Sequence, residues 1–317
     1  MMSNIYTADE QNIIKAAKLI NEGKLVAFPT ETVYGLGACA YNAKAVASIF
    51  AAKGRPSFNP LISHVCTFDT VEELAVVDER ARLLAQKFWP GPLTFVLQRK
   101  EDNPALDLAC AGLKTITVRM PSHPVARELI KQSGVPIVAP SANRSQTISP
   151  TTAAHVFESL GDKVDMILDG GACSVGVEST IIDLTTPRAV LLRAGGVTLE
   201  ELESFLNETI VISHGNPDMP NSPGQLLKHY APSRHTLRIN AVNKAPNEFL
   251  IGFGQIKDAD INLSPGGDLC EAAANLFAYL RMADEQNEFA KIAMSPIPET
   301  GIGFAINDRI RRASYAK

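Results

Sequence analysis

The sequence predicts an α/β chain built in two units, and three observations carry that expectation. The chain has 317 residues, room for about two domains of ordinary size. Short apolar runs of strand length alternate with stretches whose apolar residues recur at helical spacing. At 213–234 four prolines and two glycines interrupt the pattern, and neither a helix nor a central strand survives there. The expected division is 1–212, a Pro-rich connector at 213–235, and a smaller unit at 236–317.

The elements follow in order. Thr7 and Glu10 have capping-box spacing, and Ile13, Ile14, Ala17 and Ile20 then form a helical stripe. Leu25–Phe28 is a buried strand by length and composition. Asn42 is placed to cap a helix carrying Val46, Ile49 and Phe50. Leu61–Val65 predicts a strand, followed by helical stretches at Val71–Val77 and Glu79–Phe88. Further strands are expected at Leu93–Leu97, Thr115–Arg119, Ile137–Ala139, Met166–Leu168, Thr180–Leu184 and Ala189–Leu192. Helices are expected among them at Pro124–Gln132 and Thr151–Leu160. Beyond the connector, Phe249–Phe253, Ala272–Leu280 and Ile292–Met294 make a second, small α/β unit.

Composition narrows the function classes. Hydrophobic residues make up 45% and charged residues 20%, so the chain is globular and not disordered. No stretch approaches the ~18 apolar residues of a membrane span. The formal net charge of −4 argues against a dedicated nucleic-acid binder, so any contact with RNA should be local and transient. The five cysteines are odd in number, form no C-x-x-C and are expected as free thiols. With no basic and then apolar N-terminal segment, a cytoplasmic location is expected.

Several motifs could carry chemistry. Gly35 to Ala40 fits the G-x-G-x-x-A dinucleotide fingerprint, but no acidic residue stands between Glu31 and Asp69 to hold a ribose. The glycines instead permit a tight turn or close backbone approach. In the same acid-free window, Lys53-Gly54-Arg55 follows a helix and Pro56 stops it. Two cations around a glycine make an anion clamp; cations ending a helix also favour its dipole, and the tripeptide alone leaves both readings open.

No Walker A loop exists. Pro140 to Ser145 places small polar side chains after an apolar strand, where α/β sheets bind ligands. Its other reading is a plain loop into a helix capped by Ser149. Arg193, beside Gly195 and Gly196, is either a phosphate contact or half of a surface ion pair. Gly176-Val177-Glu178-Ser179-Thr180 does not fit a hydrolase elbow. A lone histidine such as His64 is more often structural, and the six histidines show no metal-binding pair.

Taken together, seven ordered segments are specific. They are FPTETVYGLGA (28–38), the K-x-R at 53–55 running on to His64-Val65, FWPGPLTFVL (88–97), TVRMPSHP (117–124), VAPSANRSQTISPT (138–151), GVESTIIDL (176–184) and LLRAGG (191–196). With them the chain resembles the YrdC-type threonylcarbamoyl-AMP synthases. SPGQLLKHYAP (222–232) and the extra C-terminal unit resemble the long, two-domain form.

That resemblance implies a twisted mixed sheet with helices around a large cavity, plus a small Rossmann-like C-terminal domain. It implies an enzyme, a nucleotidyltransferase. L-threonine and bicarbonate form a carbamate, whose oxygen attacks the α-phosphate of ATP to give threonylcarbamoyl-AMP and pyrophosphate. A downstream tRNA threonylcarbamoyl transferase complex then modifies the adenosine beside the anticodon. The resemblance assigns Thr32, His64, Arg119, Ser179 and the backbone at Ala139 to L-threonine. It assigns Lys53, Arg55, Asn59, Thr115, Ser141, Asn143, Ser149, Arg193 and Tyr230 to ATP, with Lys53 and Arg55 serving the phosphates as catalytic residues.

Mg²⁺ is expected with the ATP, held mainly by phosphates and water and by no protein site. Lys53, Arg55, Arg119 and Arg193, with no carboxylate nearby, are expected to gather the three anionic substrates. The connector reads either as a solvated linker or as a lid bringing Tyr230 to the nucleotide. Gln225-Leu226-Leu227 departs from the family's more common Met-Lys-Tyr there. A non-catalytic RNA-binding or ribosome-associated module is the other reading of the same fold; the threonine-side residues favour the enzyme.

Overall fold

The computed structural model describes residues 4–100, 107–213 and 229–315. The chain opens with β1 (Ile5–Thr7), α1 (Glu10–Asn21), β2 (Val26–Phe28), β3 (Gly35–Cys39), α2 (Ala43–Lys53) and β4 (Ile62–His64). Next come α3 (Phe68–Leu74), β5 (Ala75–Val76), α4 (Glu79–Phe88), β6 (Leu93–Arg99), β7 (Thr115–Arg119), α5 (Pro124–Ser133) and β8 (Ile137–Val138). Then follow α6 (Ala153–Leu160), β9 (Met166–Asp169), β10 (Thr180–Asp183), β11 (Val190–Arg193), α7 (Leu199–Leu206) and β12 (Val211–Ile212). The last part holds β13 (Thr236–Arg238), β14 (Glu248–Gly252), β15 (Ile261–Asn262), α8 (Leu269–Asp284), β16 (Lys291–Met294) and α9 (Ile302–Ser314).

Two sheets result. The larger is mixed and has 12 strands, in the order β1-β9-β2-β3-β8-β4-β7-β6-β10-β11-β12, with β5 paired to β6 off this path. The smaller is parallel throughout, in the order β13-β16-β14-β15, with α8 and α9 against it. A parallel sheet with helical crossovers is the arrangement that a Rossmann-like unit requires.

Local chemistry explains most boundaries. Asn42 caps α2 by accepting from Ala45 N at 3.1 Å, as its position predicts. Gly54 ends that helix in the left-handed conformation, at φ 60°. The first helix is capped by Asp9 and not by Thr7, because Thr7 is still in β1 and pairs with Asp169. Thr152, not Ser149, caps α6.

Gly35–Cys39 departs from the turn reading, since it is a buried strand between β2 and β8. The close approach is real: a Cβ on Gly37 would lie 2.7 Å from Phe28 Cε1 and 2.9 Å from Ile137 Cγ2. Only glycine lets these strands pack so tightly.

One buried cluster joins the two sheets. Val33, Ile148 and Val177 from the first 212 residues pack with Tyr230 and with Leu276, Phe277 and Ile306 of α8 and α9. Residues 225–227 lie outside the described residues.

Candidate active site

Sheet register brings distant residues to one place. His64 at the end of β4 stands opposite Arg119 at the end of β7, and opposite Ile137 of β8. Ala139 follows β8 directly. Across β7, Thr94 of β6 also stands opposite Arg119. Ser179 immediately precedes β10, whose Ile181 pairs with both Thr94 and Arg193. The carboxyl ends of β4, β7, β8 and β11 therefore face one cavity, the usual ligand position in an α/β sheet. Glycine permits the last contact, because a Cβ on Gly195 would lie 2.3 Å from the carbonyl oxygen of Glu178.

All five residues assigned to threonine line this cavity: Thr32, His64, Arg119, Ala139 and Ser179. Arg119 is 3% exposed and held by three hydrogen bonds. It donates from Nε to Gly91 O at 3.3 Å, from Nη1 to Thr32 Oγ1 at 3.0 Å, and from Nη2 to Glu31 Oε1 at 2.6 Å. Ser179 Oγ shares a hydrogen bond with Thr94 Oγ1 at 2.7 Å and accepts from Arg193 Nη2 at 3.1 Å. His64 Nδ1 lies 3.2 Å from Ile62 O. Burial first, and the neighbouring Arg119 second, push the His64 imidazole down to about 3, so it is neutral at physiological pH.

The residues assigned to ATP divide. Arg55, Ser141, Arg193 and Tyr230 line the cavity. Arg55 is braced by Asn59 O at 3.3 Å and Pro60 O at 2.9 Å. Arg193 Nε donates to Ser179 O at 3.0 Å. Lys53, Asn59, Asn143 and Ser149 are buried beside the cavity and are not among its lining residues. Lys53 Nζ donates to the carbonyl oxygens of Ser141 and Asn143, tying α2 to the loop after β8. Ser149 Oγ donates to Glu178 Oε1 at 2.7 Å. Thr115 opens β7, four residues before Arg119, and does not line the cavity.

The expectation of a carboxylate-free site is corrected. Glu178 lines the cavity, and Glu31 reaches it through Arg119. The acid-free window around Lys53 spoke only for sequence neighbours, whereas these carboxylates arrive through tertiary contacts. Burial alone would raise Glu178, but Arg309 and Arg193 outweigh it and hold the carboxyl down at about 2. Burial likewise opposes ionisation of Glu31, and Arg119 reverses it, leaving its pKa below the usual range. Burial first, and a neighbouring arginine after it, lower Lys53 and Arg55; burial also lowers Arg193, against the opposing pull of Tyr230 and Glu178 and with help from Arg309 and Arg119. Such mutually repelling cations are relieved by an anionic ligand.

Tyr230 and His229 reach the cavity from the far side of the connector. Tyr230 is 1% exposed and sits at φ 63°, in the left-handed region. Its ring stacks on Phe277 of α8 with centroids 5.3 Å apart. Ala231 bridges to Thr147, and its N donates to Gln146 O at 3.1 Å. The Asp284 carboxylate then accepts from the backbone N of Ser233, Arg234 and His235, at 2.6, 2.9 and 3.1 Å. With these residues in place, the free space left in the cavity is about 50 Å³, room for a few waters. Glu31, Glu178, His229 and Arg309 were not anticipated as site residues. The T-E-T and V-E-S segments that hold the two acids were the signals available for them.

The fold and the site define an α/β protein with two sheets, whose buried cations and hydroxyls converge on one anion-attracting cavity. Residues 18–195 match the Sua5/YciO/YrdC family, described as telomere recombination. The chain belongs to that family. Residues 197–314 match the family described as threonylcarbamoyl-AMP synthase, C-terminal domain.

The chain is 44% identical over 326 residues to a threonylcarbamoyl-AMP synthase of Pyrococcus abyssi (strain GE5 / Orsay), covering 96% of this chain and 95% of that one. It is 39% identical over 329 residues to a threonylcarbamoyl-AMP synthase of Bacillus subtilis (strain 168), covering 97% and 94%. The crystal structure of P. abyssi Sua5 complexed with L-threonine superposes with a TM-score of 0.88 at 41% identity, over 98% of this chain and 96% of that chain.

Proposed function

We propose that the chain is a threonylcarbamoyl-AMP synthase, joining L-threonine, bicarbonate and ATP. The observation that carries this reading is the convergence of Thr32, His64, Arg119 and Ser179 beside Arg55 and Arg193, in a chain similar over its full length to synthases of that name. In this reading residues 1–212 form the catalytic unit, 213–235 the connector that ends in a lid, and 236–317 the unit that holds the lid.

The chemistry asks little of a general base. The threonine nitrogen takes up the carboxyl carbon of bicarbonate, and water departs. A carbamate oxygen then attacks the α-phosphorus, the bond to the bridging α–β oxygen breaks, and pyrophosphate leaves with that electron pair. Arg119 has five N–H groups, of which three are bonded among the described residues, so two remain for the threonine carboxylate. With Nδ1 donating to Ile62 O, His64 offers Nε2 as an acceptor for the substrate hydroxyl. Arg55 and Arg193 meet the phosphates, while Lys53 holds the 141–143 loop against them. Holding the reactants together in such a site supplies ~7–11 kcal/mol of a bimolecular barrier. Tyr230 and His229 exclude water from a hydrolysable adenylate.

Glu31 and Glu178 are both tied to arginines, and no group of three or more His, Cys, Asp or Glu side chains among the described residues is placed to hold a metal. Magnesium belongs in this reading to the incoming ATP, ligated by phosphates and water, and no step is assigned to it. The product passes to a tRNA threonylcarbamoyl transferase complex, with contact between this chain and tRNA brief. No described helix is long and apolar enough to cross a membrane.

The test is pyrophosphate release from ATP and Mg²⁺, with L-threonine and bicarbonate omitted in turn. Release is expected only when both are present. Release without either would make the chain an ordinary nucleotide hydrolase. Salt-sensitive RNA binding with no turnover would favour the RNA-binding module.

A further inference from the structure

Arg309 is the largest fully buried side chain among the described residues, at 0% exposure, and it comes from α9, in the second unit. Its Nε lies 2.9 Å from Glu178 Oε2 in the first unit. The other carboxylate oxygen, Oε1, accepts from Ser149 Oγ at 2.7 Å. Its Nη1 meets Asp308 Oδ2 at 2.9 Å, and its guanidinium carbon stands 5.5 Å from the Tyr230 ring centroid. Its Nη2 is buried and has no hydrogen-bond partner among the described residues.

Such an arrangement is a poor way to glue two units together. A buried ion pair usually adds less than a well-packed apolar contact, because both charges lose water. An unmet buried donor costs more still. Placement explains it better: Glu178 lines the cavity beside Arg193 and Tyr230. A bare carboxylate there would repel a polyphosphate. With Arg309 behind it, the charge is cancelled and the oxygen still fixes Ser149.

We propose that Arg309 is a positioning residue of the adenylation site, through which the second unit neutralises Glu178, orients Ser149 and supports Tyr230. The proposal rests on the reading of the chain as a threonylcarbamoyl-AMP synthase. The second unit on this account is part of the site and not an appendage. Arg309 touches no reacting atom; its effect runs through Glu178 and Tyr230.

The test uses the full chain, as wild type, Arg309→Met, Arg309→Lys and Arg309→Met/Glu178→Gln. Two readouts are taken: KM for ATP and for threonine in pyrophosphate release, and direct calorimetric binding of a non-hydrolysable ATP analogue. Arg309→Met should raise KM for ATP and Kd for the analogue about tenfold or more, with KM for threonine changed less than about twofold. The double variant should return both nucleotide constants to within about threefold of wild type, since it removes the uncompensated charge. Arg309→Lys should lie between.

Equal losses for both substrates, or a double variant as weak as the single one, would reduce Arg309 to a structural rivet and overturn the proposal. Should Arg309→Met fail to fold, Arg309→Lys and Arg309→Lys/Glu178→Gln decide by the same comparison. A wild-type chain that releases no pyrophosphate sinks the synthase reading. Unchanged analogue binding in Arg309→Met sinks the Arg309 proposal by itself.

Discussion

Arg119 and Glu31 meet in a buried ion pair of 2.6 Å, and the second oxygen of Glu31 accepts from Ser122 N at 3.1 Å. The guanidinium plane is thereby fixed between the 30–32 segment and the turn after β7. Glu31 is thus the orienting partner of the residue assigned to the threonine carboxylate.

Removing Arg119 should separate the two substrates. Each charge-assisted hydrogen bond contributes about 1.5–3 kcal/mol, so Arg119→Ala should raise KM for threonine about 10- to 100-fold. KM for ATP should move less than about threefold. Arg119→Ala also strands a buried carboxylate, so the comparison is best made in an Arg119→Ala/Glu31→Gln background. Equal loss for both substrates from a folded protein would reject the assignment.

Tyr230 is held by its stack on Phe277, and Tyr230→Phe keeps that ring. Tyr230→Ala should cut product yield several-fold or raise the ratio of pyrophosphate released to threonylcarbamoyl-AMP accumulated. Tyr230→Phe should stay closer to wild type. If Tyr230→Ala changes neither quantity, the end of the connector only tethers the second unit.

Lys53 makes a prediction about stability as well as rate. Lys53→Met leaves the buried carbonyl of Asn143 and the half-buried carbonyl of Ser141 without this donor. The expected loss is about 2–4 kcal/mol in chemical denaturation, together with a raised KM for ATP. A side chain that met only phosphates would leave the stability of the ligand-free protein unchanged, and that outcome would contradict the assigned contacts.

Acid should destabilise the fold earlier than carboxylates alone require. Burial above all holds His64 and His229 down at about 3, against an ordinary 6.5; Arg119 adds to it at His64, and at His229 the opposing Glu178 is outweighed by burial together with Arg55, Lys53 and Arg309. Below 6.5 the unfolded chain binds these protons and the folded one does not. Each histidine then withdraws about 1.4 kcal/mol of stability per pH unit until its folded pKa is reached. Glu31 and Glu178, both depressed, add a second loss that begins as pH drops below 4.5. Denaturation midpoints should therefore fall between pH 7 and pH 5 at constant m. His155 and His123, which burial also depresses, add to the same fall, and a flat profile over that interval would show that these imidazoles are not held neutral.

Much of this was legible in short-range pattern. Thr115–Arg119 alternates as a strand and is one, and Asn42 sits at its helix start because its side chain has a donor three residues ahead. The threonine-side residues could be transferred by motif, because each stands at or just beyond a strand end or in the T-E-T segment. Illegible were the contacts closed by tertiary structure. Gly35–Cys39 carries the glycines of a turn, and only the neighbours Phe28 and Ile137 explain why they belong in a strand. Helix α7 and strand β1 are short and went unanticipated. Glu178 and Arg309 obey no common period, so no window could pair them.

The timing of synthesis gives that last pairing a further meaning. Arg309 follows Glu178 by 131 residues. At ribosomal rates of about 5–20 residues per second, the acid is made about 7–26 s before its counter-charge. Through that interval the twelve-stranded sheet can assemble, but Glu178 waits without Arg309, and the Tyr230 ring waits in turn for Phe277. A nascent chain on the ribosome therefore carries the strand ends of the site before it carries the site itself.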